Sequence, residues 1–369
     1  MNIRFLRNVL LKGLALFLLI DLIFPVIDPA TLGKQSLYNH LFTGRTRFPF
    51  GEDSAQSYNL SLFNLDAMFA SHEIANGIKP NGEYRIITIG DSSTWGTLLR
   101  PAETLSGQLN EANLSICGKS IHVYNLGYPT ISLTKDIMVL DYALRYDPDM
   151  VIWLVSLEAF PLEKQLSSPI VANNSDRVRD LIARYNLPLD PNDPALAKPG
   201  FWDRTLIGQR RPLADLFRLQ MYGVLWTATG IDQSYPADYQ HAQTDFSTDI
   251  SFHDMTGPEL DGSQLVFRLL ETGMHMAGNT PMILVNEPML VSVGENSELR
   301  YNFLYPRWAY DQWREIMAAR ADENGWNYLD LWNIIPSDQF TNSAIHPTPA
   351  GESILAKRVE QKILMQSCP

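Results

Sequence analysis

Short apolar stretches alternate with amphipathic ones along most of the chain, after one long apolar segment near the N-terminus. Five of the short stretches have the length and the Val, Ile and Leu content of buried strands. The stretches that follow them repeat apolar residues at helical spacing and predict amphipathic helices. The predicted strands lie near 84–89, 121–126, 150–155, 281–286 and 327–332, and the predicted helices near 102–113, 133–146, 263–277, 307–323 and 350–365.

This alternation predicts an α/β fold, because parallel strands joined by helices form a sheet that is covered on both faces. We expect a three-layer α/β/α sandwich with a five-stranded, parallel, flavodoxin-like sheet, together with an N-terminal transmembrane helix. Residues 161–260 break the pattern with many Pro, Asp and aromatic residues, and we interpret them as an insertion with short helices near 176–184 and 211–228. The insertion forms either a lid or substrate wall over the sheet edge, or a surface excursion.

The long apolar segment, residues 9–27, has the length of a membrane span, since a helix of that length reaches about 28 Å. Its flanking positive charges lie on the N-terminal side, at Arg4, Arg7 and Lys12. This asymmetry predicts that residues 1–8 are cytoplasmic and that the main domain lies outside. No small-x-small cleavage site follows, so we expect an uncleaved anchor, with a cleaved signal peptide as the alternative.

Asp21 is an acidic residue inside this apolar segment. A charge at mid-bilayer costs roughly 3 kcal/mol, and less nearer the interface. We expect Asp21 to reach water at the outer end of the helix. The alternative is that it pairs with a partner membrane protein.

The remaining chain divides into a juxtamembrane region, residues 28–80, and a main domain, residues 81–369, which contains the insertion. The net charge of −12 excludes a nucleic-acid partner, because no basic stripe is present to contact phosphates. Two cysteines, Cys117 and Cys368, are too few for a disulfide scaffold. A bridge between them is possible, but we do not expect it.

Two short segments carry the candidate chemistry. Gly90-Asp91-Ser92 follows the first predicted strand directly, which places the Ser92 hydroxyl at the edge where open α/β sheets bind their substrates. His346 lies in a loop after the last predicted strand. A serine becomes a nucleophile when a base takes its proton, so the pair predicts nucleophilic catalysis. The alternatives are that Ser92 only begins a helix and that His346 is a surface turn residue.

These two segments, Gly90-Asp91-Ser92 and His346-Pro347, resemble the end blocks of the SGNH (GDSL-type) hydrolases, and the order of elements extends the resemblance over about residues 82–365. The resemblance implies the flavodoxin-like fold and an acyl-Ser92 intermediate, with His346 acting as base and then as acid. It also implies an oxyanion hole formed by the backbone N–H groups of Ser92 and Gly127, with Asp91 beside the nucleophile as a further site residue.

The third oxyanion donor in the family is an asparagine, and Glu158 stands at that position here. Glu158 would repel an oxyanion if it were ionised, and it could donate a hydrogen bond if burial kept it protonated. Asn286, at the end of the fourth predicted strand, is the residue that we expect could supply an amide instead.

The second departure concerns the residue that orients the histidine. The family has an aspartate three residues before it, where this chain has Ser343. Asn342 is the residue that we expect to orient His346, although an asparagine cannot stabilise an imidazolium. Asp338 is a more distant candidate, and an unsupported Ser–His dyad is the simplest alternative.

Other chemistries lack a signal in the sequence. No closely spaced His or Cys pair indicates a metal site, and no glycine-rich loop with lysine indicates a nucleotide site. We therefore expect no cofactor and no metal. We interpret Glu163, Glu287 and Asp311 as surface or capping carboxylates.

The sequence thus predicts a membrane-anchored acyl-ester hydrolase that acts on an extracytoplasmic ester. One alternative is an O-acyltransferase that modifies a cell-surface glycan or polymer with a membrane-protein partner, as the resemblance to anchored members of the family implies. A second alternative is a catalytically impaired SGNH-like subunit of a membrane assembly, which the departures at Glu158 and Ser343 favour.

Overall fold

The computed structural model describes residues 2–27, 45–48, 65–70, 72–197, 200–229 and 238–366. Much of the predicted juxtamembrane region, residues 28–80, therefore lies outside the described residues, as does Cys368.

A six-stranded sheet forms the centre of the main domain, in the order β2-β3-β1-β4-β5-β6. Neighbouring strands are parallel, except that β2 is antiparallel to β3. The strands are β1 Glu83–Ile89, β2 Ser115–Ile116, β3 Lys119–Asn125, β4 Met150–Val155, β5 Met282–Asn286 and β6 Asn327–Asp330. The predicted α/β class and the five parallel strands are confirmed.

The sixth strand corrects the prediction of five. β2 contains only two residues and joins β3 through Cys117 and Gly118, whose φ angles of 53° and 75° form a tight turn. A strand of this length is too short to leave an apolar pattern in the sequence. It extends the sheet beyond β3 without altering the parallel core.

Helices cover the sheet on both faces, as expected. Eleven α-helices occur in the described residues: α1 Ile3–Ile23, α2 Leu65–Ala70, α3 Ser92–Trp95, α4 Leu105–Glu111, α5 Leu133–Ala143, α6 Pro169–Asn173, α7 Ser175–Tyr185, α8 Arg210–Thr229, α9 Phe267–Met276, α10 Arg307–Asn324 and α11 Pro349–Leu364.

Two apolar cores lie on opposite faces of the sheet, because successive strand residues point to opposite sides. Ile87 of β1 packs with α5, α9 and α10 in the larger core. Ile86, its neighbour in the strand, packs with α4 and α11 in the smaller one. This is the predicted three-layer arrangement.

The N-terminal helix α1 is apolar and exposed, and residues Ile3–Val26 are long and apolar enough to cross a membrane. Asp21 is the exception, since only 4% of it is exposed. Its carboxylate accepts a hydrogen bond from the backbone N–H of Ile207 at 2.8 Å. Within the described residues, Asp21 thus contacts a turn of its own chain, which the sequence did not predict.

Residues 161–260, which we interpret as an insertion, lie between β4 and β5, and α7 and α8 are close to the two helices expected there. Cys117, in the turn between β2 and β3, is disulfide-bonded, which differs from our expectation. The only other cysteine in the sequence is Cys368, which lies outside the described residues.

Candidate active site

The Ser92 hydroxyl projects from a tight turn between β1 and α3. Asp91 caps the short helix by accepting a hydrogen bond from the N–H of Ser93 at 2.8 Å. Gly90 has no room for a side chain, because a Cβ there would lie 2.1 Å from Thr94 Oγ1. Among the described residues, the N–H of Ser92 itself donates to no acceptor. This N–H is therefore free to meet a ligand.

A buried arginine holds the far end of this turn. The guanidinium of Arg47 donates hydrogen bonds to three carbonyl oxygens where α3 ends, those of Trp95, Gly96 and Leu99, at 3.2, 2.8 and 3.0 Å. The Asn125 amide donates to the Thr94 carbonyl at 2.9 Å. These contacts bind carbonyl groups at the end of the short helix and in the chain just after it, and they fix the helix that begins at Ser92.

The histidine loop, residues 340–348, closes on itself. The N–H of Thr341 donates to the carbonyl of His346 at 2.8 Å, and the N–H of Thr348 donates to that of Gln339 at 2.9 Å. The loop is tied to the chain after β5 by a 2.7 Å bond from the Leu290 N–H to the Ala344 carbonyl. This closure brings Asn342 beside the imidazole of His346.

Ser92, His346 and Asn342 form a continuous hydrogen-bonded chain. His346 Nε2 lies 2.8 Å from Ser92 Oγ, and His346 Nδ1 lies 2.8 Å from Asn342 Oδ1. Because an amide oxygen only accepts, Nδ1 carries the proton and Nε2 accepts from the serine hydroxyl. This is the tautomer that a general base requires.

Within the part of the chain that the structure describes, no carboxylate is hydrogen-bonded to the imidazole. Asp338, the more distant candidate, is exposed and forms no hydrogen bond with His346 in the described part of the chain. Burial lowers the pKa of His346 to about 4, since a low-dielectric environment disfavours the charged ring. His346 is therefore neutral at physiological pH and ready to accept a proton.

Two of the predicted oxyanion donors are engaged elsewhere. The N–H of Gly127 donates to Asn125 Oδ1 at 3.0 Å. A Cβ at Gly127 would lie 2.5 Å from the backbone nitrogen of Trp95, so this glycine permits close packing against α3. In this structure the Gly127 N–H is thus occupied by Asn125, and its family-based role as an oxyanion donor stays a prediction.

Asn286 is fully buried and belongs to a different network. Its amide nitrogen donates to Asp330 at 2.8 Å, and its amide oxygen accepts from the Tyr310 hydroxyl at 3.0 Å. These bonds join β5 to β6 and α10. Because the Asn286 side chain already has these structural partners, its role as a replacement for the family's asparagine donor stays a prediction.

Glu158, directly after β4, is the centre of a charged cluster. Its carboxylate pairs with the ammonium of Lys164 and lies 3.2 Å from His253 Nε2. His253 Nδ1 in turn lies 2.6 Å from Glu163. Burial raises the pKa of Glu158, but the hydrogen bond of His253 and the charge of Lys164 outweigh it, so that the pKa lies below its usual value.

Glu158 is consequently ionised, and the alternative of a protonated donor does not hold. The hydrogen bond to Glu158 raises the pKa of His253 in return. The ammonium of Lys164, which is paired with Glu158, offsets part of the repulsion that a lone carboxylate would exert on an oxyanion. Sequence reasoning missed this, because His253 is 95 residues away from Glu158.

A buried group of charges lies behind the nucleophile turn. The Lys135 ammonium donates to the Gly90 carbonyl at 2.6 Å and lies 2.5 Å from Asp136. Burial raises the pKa of Asp91. Burial, together with the nearby charge of Asp91, raises that of Glu287 well above its usual value. Glu287 is almost fully buried, so its interpretation as a surface or capping carboxylate is wrong.

A cavity of about 390 Å³ lies beside this edge of the sheet and is walled mainly by the insertion and the chain after β5. Its lining combines polar and aromatic side chains, including Glu158, His253, Asp249, Arg300, Phe246 and Phe303. The Arg300 guanidinium donates to the backbone carbonyls of Asp249, Ser251 and Phe303, and so joins two of the wall segments. The N–H of Ala242, next to the lining residue Gln243, donates to the Thr341 carbonyl at 2.9 Å. This connects the cavity wall to the histidine loop.

No protein-family model matches the sequence, and neither does any curated protein. Solved structures do match. A member of the lipolytic G-D-S-L family from Veillonella parvula is 12% identical with a TM-score of 0.37, over 75% of this chain and 96% of that one. A putative lipolytic protein of the same family from Desulfitobacterium hafniense is 13% identical with a TM-score of 0.33, over 76% and 99% of the two chains.

A carbohydrate acetylesterase family member from Sinorhizobium meliloti is 12% identical with a TM-score of 0.33, over 76% of this chain and 97% of that one. At this level of identity and similarity, these matches carry no information about the activity or the substrate of this chain.

Proposed function

We propose that this protein is a membrane-anchored serine hydrolase that cleaves an acyl ester on the outer side of the membrane. The observation that carries the proposal is the chain of two 2.8 Å contacts from Ser92 through His346 to Asn342. In such a chain the imidazole removes the hydroxyl proton as the oxygen attacks a carbonyl carbon.

The reaction has two halves. Ser92 Oγ bonds to the acyl carbon, the ester C–O bond breaks, and His346 gives its proton to the leaving alcohol. Water then attacks the acyl-Ser92 ester while His346 acts as base again, which releases the acid and restores the serine. The free N–H of Ser92 is one donor for the oxyanion of each tetrahedral intermediate.

Asn342 supplies part of what an aspartate would supply. Its oxygen holds Nδ1–H and so fixes the orientation and the tautomer of the ring. It carries no charge to stabilise the imidazolium that forms during attack, and replacing the aspartate of a serine protease by asparagine costs about 10⁴ in kcat. We therefore expect a slow hydrolase with activated esters.

Acyl transfer to a sugar hydroxyl is the second candidate, and the cavity beside the site is the observation that favours it. Aromatic rings together with carboxylate and imidazole groups suit a polyhydroxylated acceptor, which needs both stacking and hydrogen bonds. The cavity wall is joined to the histidine loop by the Ala242–Thr341 hydrogen bond, and an acceptor that extends from the cavity to acyl-Ser92 would replace water there. A membrane-protein partner could supply the acyl donor. Exclusion of water from the intermediate would favour transfer.

The first test is p-nitrophenyl acetate turnover by the full chain in detergent micelles. Ser92→Ala and His346→Ala should each abolish turnover. Ser120→Ala, at an exposed position on β3, and His122→Ala, at a partly exposed position on the same strand, are matched controls and should retain it. Turnover that is unaffected by Ser92→Ala would overturn the proposal.

A fluorophosphonate probe separates the remaining alternatives. Labelling of Ser92 without ester turnover would favour acyl transfer, because the nucleophile would then be active but unable to use water. Absence of both turnover and labelling would favour the catalytically impaired subunit.

A further inference from the structure

An exposed apolar segment, residues 201–229, lies beside the end of the anchor helix. It begins with Trp202, which is 70% exposed. Three residues spaced four apart on α8, namely Phe217, Met221 and Leu225, are 66%, 69% and 60% exposed. Residues at this spacing share one face of a helix, so they form a continuous apolar stripe.

The segment is attached to the anchor by Asp21. The Asp21 carboxylate accepts the N–H of Ile207, in the turn that precedes α8. Asp21 is the third residue from the C-terminal end of α1, which the charge pattern assigns to the outer surface of the membrane. The turn and the beginning of α8 therefore lie at the level where the anchor leaves the bilayer.

The composition of the segment fits a membrane–water interface. Tryptophan is enriched at that level because its ring is apolar with one polar edge. The segment has four arginines and two aspartates, in a chain whose net charge is −12. Arg204 and Arg211 are exposed, where they could meet anionic headgroups. Exposed apolar residues next to basic ones, as in this segment, suit a helix that lies at the membrane interface.

We propose that residues 201–229 are a second membrane-contact element, which inserts Trp202 and the stripe Phe217–Met221–Leu225 into the outer lipid interface beside α1. The occupant of the apolar stripe is lipid. This inference rests on the proposed anchor, but not on the proposed chemistry. Because the segment belongs to the insertion that also lines the cavity, the contact would hold the candidate active site close to the membrane surface.

The test uses single added cysteines in the full chain. Met221→Cys is labelled with an environment-sensitive fluorophore without reductant, which leaves the disulfide of Cys117 intact. The protein is then reconstituted, at high dilution, into liposomes of phosphatidylcholine and phosphatidylglycerol that contain a lipid with a quencher near its headgroup. We expect the fluorophore at position 221 to lose most of its emission, and a label at position 225 to behave in the same way.

Two controls make the outcome decisive. Val293→Cys carries the label at another highly exposed apolar residue, outside the segment, and should keep its emission. Leu14→Cys lies in the middle of α1 and reports insertion of the anchor through quenchers placed deep in the bilayer. Quenching at 14 without quenching at 221 or 225 would overturn the membrane-contact proposal, while absence of quenching at 14 would overturn the anchor itself.

The two other possible occupants give a different result. If α8 binds a second copy of the chain, an unlabelled Met221→Cys variant forms a disulfide-linked dimer in liposomes and the label at 221 is not quenched. If it binds a different membrane protein, the label in pure liposomes stays unquenched as well. Either result would overturn lipid as the occupant.

Discussion

The imidazole of His346 is unusual in being held by an amide instead of a carboxylate. Asn342 fixes the ring, and burial keeps it neutral. As a consequence, His346 stays unprotonated far into the acid range. When it accepts the serine proton, however, no negative charge on Asn342 stabilises the imidazolium.

The first prediction concerns pH. The reaction needs neutral His346, so kcat/KM should rise as the pH increases through the pKa of the free enzyme, which is about 4. It should then stay level from about pH 5 to 8. The measurement is ester turnover against pH, with tryptophan fluorescence recorded in parallel to verify that the chain stays folded. An acid limb close to 6.5, the ordinary value for histidine, would contradict the prediction.

The second prediction concerns Asn342→Asp. A carboxylate at this position would stabilise the imidazolium, so the acid limb should move upward by about 1–3 pH units and kcat should increase. Asn342→Ala should lower kcat, because the ring then loses its support. Asn333→Asp adds the same charge at an exposed position and serves as the control. An Asn342→Asp enzyme with an unchanged pH profile would show that Asn342 does not hold the ring.

The elements around the site are stabilised by buried polar groups as well as by apolar packing. Lys135 of α5 binds the carbonyl before the nucleophile turn. Glu352, in the first turn of α11, accepts the N–H of Leu105 at the start of α4 at 2.8 Å. These contacts fix helices from distant parts of the chain against the two loops that carry Ser92 and His346.

Glu352 gives the third prediction. Burial raises its pKa to about 8 in the folded chain from 4.5. Because the pKa is higher in the folded chain than in the unfolded chain, protonation of Glu352 stabilises the fold. This contribution to the free energy of unfolding is complete below about pH 4.5 and declines as the pH rises towards 8. The loss is on the order of a few kcal/mol.

Glu352→Gln keeps the acceptor for Leu105 and cannot ionise, so it should raise the urea midpoint at pH 8 and leave it nearly unchanged at pH 4.5. Glu360→Gln, at a partly exposed position on the same helix, is the control. Equal effects of Glu352→Gln at both pH values would contradict the prediction.

At the scale of the whole molecule, the anchor and the disulfide agree on one orientation, in which the main domain lies outside the membrane. Disulfides persist in oxidising compartments and are rare in the cytosol. Cys117 is disulfide-bonded, which supports the outward position of the main domain that the positive charges before the anchor predict.

The fourth prediction tests this orientation. When the full chain is expressed in a bacterium, Cys117 should resist alkylation by a polyethylene-glycol maleimide until a reductant is added, whereas a chain without residues 1–27 should be modified at once in the reducing cytoplasm. The Cys117→Ser variant identifies the gel band that is shifted by alkylation of Cys117. A readily alkylated Cys117 in the intact chain would contradict the outward orientation.

Sequence by itself determined the parallel core of the sheet, the longer helices and the loop positions of Ser92 and His346. Local patterns suffice for these features, since an apolar run, a helical repeat and a capping residue act over a few neighbouring residues. Asn342 could also be predicted from the sequence, because it lies only four residues before the histidine that it holds.

Only the tertiary structure decided which side chains are buried together. The position of Glu287 directly after β5 suggests a surface carboxylate, yet the side chain is buried near Asp91. Gly127 and Asn286 have their hydrogen bonds taken by neighbours. Glu158 meets His253, and Asp21 meets Ile207, across long separations in the chain. Burial and charge pairing depend on residues that are distant in sequence, so no local pattern records them.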